Sequence, residues 1–379
     1  MIGIVTGMFG VIFTLDYEIH GNGDGSPHGL MVEPTSRLLA LFERYGARLT
    51  IMADIAEILK FKEYRDEFGR DDYQYEAVTE QLRGAVRCGH DVQLHIHSSY
   101  FNARYDRGRW VQDWSEYDFA GLGLERLREV IRAGKEFLES LLQPVDPRYK
   151  CNVFRAANWS VSPSINVVRA LVENGIKIDT SVFKYGRRRG LVNFDYSGAF
   201  SQLVPWKVDG NDICAASEAG RLVEFPIYSE NRWLGAFLTP QRLHRAYETW
   251  RQKFANGSEG GAAEVARPKP EQNGGGSRRL ARRYAWKADF NQCSGRQLIR
   301  ALKRAETQHR SPTRRLPFVL IGHSKLFTRF NDWSLRPFLG FVADHPGRFC
   351  FAKFSDFEDV KVYETKAGGG MAPLLECDK

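Results

Sequence analysis

A chain of 379 residues with 43% hydrophobic, 13% aromatic and 26% charged residues has the makeup of a globular protein with a substantial core, which excludes a disordered or fibrous chain. Lysine and arginine (54) exceed aspartate and glutamate (46), leaving a formal charge of +8, with basic clusters at Arg187-Arg188-Arg189, Arg278-Arg279, Arg282-Arg283 and Arg314-Arg315. No nucleic-acid motif accompanies these clusters, so they read as solvated faces or as peripheral contact with an anionic lipid or polymer.

The opening of the chain has no basic start and no small-residue cleavage site, so Val11 to Leu15 reads as a core strand rather than part of a signal peptide, and a cytoplasmic location is expected. This strand ends in Thr14-Leu15-Asp16-Tyr17-Glu18. A helix is predicted near Thr35 to Tyr45, a strand at Arg48 to Met52 and a helix around Tyr75 to Cys88. A second polar strand end follows at Gly89-His90-Asp91-Val92-Gln93-Leu94-His95-Ile96-His97. Further on come a helix from Leu124 to Leu142, a strand Asn152 to Arg155, a helix Ser164 to Asn174 and a strand Ile176 to Val182. The series closes with Val223 to Ile227, a helix Gln297 to Thr307, Phe318 to Ile321, a helix Leu335 to Asp344 and Phe349 to Phe354.

Such alternation argues for an α/β fold with parallel strands, in a barrel or a doubly wound sheet, with chemistry at the carboxyl ends of the strands. Residues 1–365 are expected to form one domain. Within it, 255–285, rich in Gly, Pro, Ser and Arg, read as a flexible insertion, and 366–379 as a disordered tail. No run approaches the ~18 uncharged apolar residues of a membrane span. The six cysteines, Cys88, Cys151, Cys214, Cys293, Cys350 and Cys377, form no CxxC pair and read as reduced thiols.

Residues two apart on an extended strand share a side, which aims Asp16 with Glu18 and His95 with His97. A lone His-x-His would read as two exposed imidazoles; opposite an Asp-x-Glu it reads as a metal site. Glu18, His95 and His97 can be ligands, while Asp16 can take a proton from water. Arg155, Asp179 and His323 lie at or just past other predicted strand ends, on the same rim. His90 reads as structural and Glu224 as a candidate substrate contact. Tyr100 to Phe119 is rich in aromatics and is either a saccharide-binding lid or a packed insertion; Trp110 and Trp114, four apart, could share one side of a short helix.

In these residues the chain resembles the polysaccharide deacetylase superfamily of carbohydrate esterases. Thr14-Leu15-Asp16-Tyr17-Glu18 is similar to the family's first motif, Gly89-His90-Asp91 with His95 to its second, and Arg155-Ala156-Ala157-Asn158-Trp159 to its Arg-x-x-x-Trp. Asp179-Thr180-Ser181 and Leu320-Ile321-Gly322-His323 match the last two, in family order. The resemblance implies a distorted (β/α) barrel of about seven parallel strands and a metal-dependent hydrolase removing an N-acetyl group from a sugar; zinc is the expected cofactor because N/O ligand sets of this kind suit it, though nickel or cobalt would also be accommodated. It implies Asp16 as base, held ionised by Arg155, with Glu18, His95 and His97 as ligands. His323 would be the acid oriented by Asp179, and Trp159 and Ser181 would contact substrate, with Trp110 and Trp114 in the lid.

The chain departs from the pattern at Glu18, where the family has Asp one residue earlier, and at Ser99, where the family has its second histidine. Two other readings stay open: hydrolysis of a non-sugar amide C–N bond, and a saccharide-binding pseudoenzyme. Carbohydrate is the expected partner; the oligomeric state is not legible.

Overall fold

The structure, a computed structural model, describes residues 9–19, 23–244, 283–309 and 315–357. The expected insertion at 255–285 falls almost wholly outside the described residues, and the expected tail at 366–379 lies outside them.

Seven parallel strands form the barrel: β1 (Phe9–Tyr17), β2 (Leu49–Asp54), β3 (Asp91–Ile96), β4 (Val153–Ala156), β5 (Ile178–Asp179), β6 (Val223–Glu224) and β7 (Leu316–His323). They lie in the order β6-β5-β4-β3-β2-β1-β7, with a short antiparallel strand, Trp206–Lys207, beside β6. Beyond β6, Ile227 bridges in parallel to Val319 of β7, which brings the two edges of the sheet together. The chain is thus a distorted (β/α) barrel, and β8 (Phe349–Phe351) extends the sheet beside the first residues of β1.

Every barrel strand is buried along nearly all its length, as parallel strands covered on both faces must be. The inner face is apolar at the strands' amino ends, where Ile12, Met52, Val153, Ile178, Phe225 and Val319 pack together. The outer face is covered by α1 (Glu33–Glu43), α2 (Ile55–Phe68), α3 (Tyr75–Arg87), α4 (Leu124–Leu142), α5 (Ser164–Glu173), α6 (Gly295–Gln308) and α7 (Arg329–Ala343). In α4 the buried Leu127, Val130, Ile131, Leu138 and Leu141 recur at three- and four-residue spacing, and each full burial contributes roughly 1.5–3 kcal/mol. Gly134 lets α4 approach β3, since a Cβ there would lie 2.7 Å from a Leu94 methyl.

Two helices differ from expectation. The sequence predicts no helix at α2, whose buried set includes Glu57 and Lys60 beside Ile55, Ile58, Phe61 and Tyr64, so charge interrupts its apolar stripe. The last helix starts at Arg329 rather than Leu335, because a Thr328–Asn331 capping box satisfies its first amides. Among the described residues no helix is long and apolar enough to cross a membrane, and the five described cysteines are free.

Candidate metal and acid–base site

Strand alternation builds the site. Two or four residues beyond the apolar inner layer, the same inward positions turn polar: Ile12 leads to Thr14 and Asp16, Met52 to Asp54, Val153 to Arg155, and Val319 to His323. Lateral register then aligns Asp16 with His323, and Asp54 with His95 and Arg155, along the rim.

Arg155, fully buried, reaches across the barrel mouth to place Nη1 2.7 Å from Asp16 Oδ1, while its Nε donates to the Thr180 carbonyl at 2.9 Å. Burial works to raise the Asp16 carboxyl, but Arg155, with His95 and His323, outweighs it and holds the group below its ordinary value. His323 Nε2 lies 3.5 Å from Asp16 Oδ2, and burial holds this imidazole below its ordinary value.

Glu18 is buried just past the end of β1. Its Oε2 lies 3.4 Å from His95 Nε2 and 3.3 Å from His97 Nδ1, and donor atoms of the three residues fall within 4.8 Å of one another. His95 Nδ1 faces the Arg155 carbonyl at 2.9 Å, which leaves Nε2 turned to the site. The rings of His95 and His97 are 5.1 Å apart. Ser99, standing where the family has its second histidine, is buried with its hydroxyl on Gln112 in the following loop, so His97 is the imidazole that faces Glu18.

Three charged neighbours of the site are absent from the sequence reading. Lys325 Nζ sits 2.8 Å from Glu18 Oε1 and 2.8 Å from the Ile19 carbonyl. Burial opposes ionisation of Glu18, but Lys325, His97 and His95 hold it well below its ordinary value. Asp54 lies 2.6 Å from His97 Nδ1 through Oδ2, and accepts the His97 amide at 3.2 Å. Glu57 accepts the Ile19 amide through Oε2, while its buried Oε1 has no hydrogen-bond partner. Burial, with Asp54 and Glu18 nearby, pushes Glu57 well above the usual carboxylate range. Asp54 ends a strand as Asp16 does, so the strand-end rule could have found it had β2 been extended two residues.

Four expected site residues take other positions. Asp179 and Ser181 have the opposite parity to the inward Ile178 and Thr180, so they point away from the barrel interior. Asp179 accepts the Ser181 hydroxyl at 2.8 Å and adjoins Glu224, both carboxyls being raised by burial first and, at Glu224, by Asp179 itself. His323 Nδ1 is buried without a partner, so Asp179 does not orient it. Ser181 donates within this cluster and accepts the Ala156 amide at 2.9 Å, which makes it a structural hydroxyl. Glu224 likewise accepts the Val182 amide at 3.0 Å and is buried.

Trp110 is buried in a hairpin, Arg104–Asp106 with Arg109–Val111, against Tyr73 and Tyr105. Trp114 begins a separate short helix, partly buried, its ring 5.0 Å from that of Tyr117 and tilted to it, so no single helix presents both tryptophans. Trp159 stands 6.3 Å from the His323 ring, in the wall of the site. His90 accepts the Leu49 amide at 3.2 Å, the structural role its position suggests.

No family model and no curated protein matches the chain. Similar solved structures include a protein assigned to the polysaccharide deacetylases from Mycobacterium smegmatis, at 14% identity over 93% of this chain and 89% of that one, TM-score 0.48. The PuuE allantoinase is 14% identical over 94% and 92%, TM-score 0.47. The 4-alpha-glucanotransferase from Thermococcus litoralis is 11% identical over 94% of this chain but 41% of its own, TM-score 0.50. At these identities the likeness speaks for the barrel fold alone, and the chemistry has to be read from the rim.

Proposed function

We propose that the chain is a hydrolase that removes the N-acetyl group from an N-acetylated sugar, a saccharide intermediate of surface polysaccharide or glycolipid assembly. One observation carries the reading: a buried Asp16 held ionised by Arg155 at 2.7 Å and facing His323 Nε2 at 3.5 Å, beside the convergent Glu18, His95 and His97. Two imidazoles and a carboxylate suit a divalent ion such as zinc; Lys325 pairs with Glu18 as outer groups commonly orient ligands, and Asp54 adds a carboxylate beside the His97 Nδ1 that faces Glu18. Held by Glu18, His95 and His97, such an ion would supply Lewis acidity and make water a better nucleophile at neutral pH.

The chain's own groups handle the protons. Asp16 takes one from the attacking water and hands it across the 3.5 Å gap to His323 Nε2, an imidazole that burial holds below its ordinary value; the imidazolium so formed gives the proton to the departing nitrogen. The partly exposed rings of Trp114 and Tyr117, 5.0 Å apart and tilted to one another, support a sugar as substrate, since aromatic faces suit the apolar side of a pyranose.

An acetate-release screen over N-acetylated sugars, with metal analysis, tests this. Asp16→Asn and His323→Gln should each lower turnover by about 10²–10⁴, the usual worth of a positioned acid or base. The reading fails if wild type holds no stoichiometric divalent metal and His95→Ala leaves acetate release unchanged.

A further inference from the structure

One cation of the site wall has no part in the chemistry above. Lys287 ends the second strand of an antiparallel pair, Ser229–Trp233 with Arg283–Lys287, whose continuation bridges Asp289 to Ile321 of β7. Its Nζ lies 3.3 Å from the centre of the Trp159 ring and 4.4 Å from that of Phe183, and the same Trp159 ring faces His323. Among the described residues, no carboxylate lies within ion-pair distance of this ammonium and no acceptor hydrogen-bonds it. Arg155 and Lys325, the other cations of the rim, each have a carboxylate partner under 3 Å. Aromatic faces hold an ammonium in place but leave its three N–H donors unspent.

We propose that Lys287 is a subsite for an anionic substituent of the substrate, a carboxylate or a phosphate carried on the sugar near the N-acetyl group. This deepens the function proposed above and rests on it for the identity of the sugar. A charge-assisted contact to a partly buried ammonium would favour the anionic sugar over its neutral counterpart by about tenfold or more. The burial that strips Lys287 of water lowers it to about 7, against attraction from Asp289 and Asp16 and with repulsion from Arg155 and Arg242. A bound anion restores the ammonium, so binding takes up a proton at neutral pH.

Equilibrium calorimetry with N-acetylglucosamine, N-acetylglucosaminuronic acid and N-acetylglucosamine 6-phosphate reads this without turnover. Wild type should bind at least one acidic sugar about tenfold or more above the neutral one, with proton uptake visible as buffer-dependent heat. Lys287→Met should abolish both while keeping the wild-type unfolding midpoint, and Lys287→Arg should retain the preference. If wild type binds all three sugars alike, or Lys287→Met weakens all three equally, the proposal is overturned. Acetate release from the same sugars is scored separately: a preference that persists with no acetate from any sugar sinks the deacetylase reading and leaves Lys287 an anion site.

Discussion

Arg155→Met removes the cation that does most to offset the burial of Asp16. At 2.7 Å and an effective dielectric of about 20, the direct attraction is about 6 kcal/mol, most of it spent on desolvating both ions. What remains visible on breaking the pair is the penalty of an uncompensated buried carboxylate, about 3–5 kcal/mol, with about 1 kcal/mol more for the Thr180 carbonyl that loses its Nε–H donor. Asp16→Asn leaves the same shape without the charge. Urea unfolding of wild type, both single variants and the double variant at one pH gives the cycle. Arg155→Met should lose about 4–6 kcal/mol, and adding Asp16→Asn should recover at least about 2 kcal/mol of it. Additive losses from the two single changes would refute the claim that Arg155 acts chiefly by holding Asp16 ionised.

Glu224→Gln keeps the acceptor for the Val182 amide and removes a carboxyl whose folded pKa burial and Asp179 raise. A raised folded pKa gives stability that is full below the ordinary value of 4.5 and lost as pH rises through the folded value, so the variant should lose less stability than wild type as pH rises above 4.5 in thermal unfolding. Asp54→Asn leaves His97 without its charged partner, and zinc affinity by direct titration should fall about 10–100-fold; unchanged affinity would remove Asp54 from the site. Lys325→Met strands Glu18 and should cost about 3 kcal/mol without metal, with added zinc recovering part of the loss because it supplies the missing charge. Trp110→Ala should cost about 3–5 kcal/mol of stability, whereas Trp114→Ala should leave stability within about 1 kcal/mol and raise KM for a saccharide.

Period-two reading of strands places Asp16, Glu18, His95, His97, Arg155, Asp179 and His323 on one rim because each lies at or just past a strand end. The same parity argument, applied one residue more strictly, separates Asp179 and Ser181 from the others: Ile178 and Thr180 face inward, so their neighbours cannot. Helix α2 escaped because Glu57 and Lys60 occupy buried positions, and periodicity sees charge as solvent-facing. Its Glu57 belongs to the polar cluster of the mouth rather than to the helix's own packing. Lys287 carries no local signal at all, since a lysine at a strand end is ordinary until the fold lays its ammonium on Trp159.

The electrostatics of the rim follow from a mismatch of buried charge. Four acids, Asp16, Glu18, Asp54 and Glu57, stand against two permanent cations, Arg155 and Lys325, around three imidazoles, His95, His97 and His323. Burial makes each uncompensated charge expensive, so protons are redistributed: Glu57 is pushed far up, while His95 and His97 are held above their ordinary values despite the burial that opposes it. Both responses add positive charge to the same small volume. A divalent cation between Glu18, His95 and His97 would do the same work with two charges at once, freeing the imidazoles to act as neutral ligands. The longer Glu18 side chain fits this account, because a carboxylate just beyond the strand end must reach back to both histidines while its second oxygen stays on Lys325. Glu18 and Lys325 are therefore one feature of this barrel mouth rather than two.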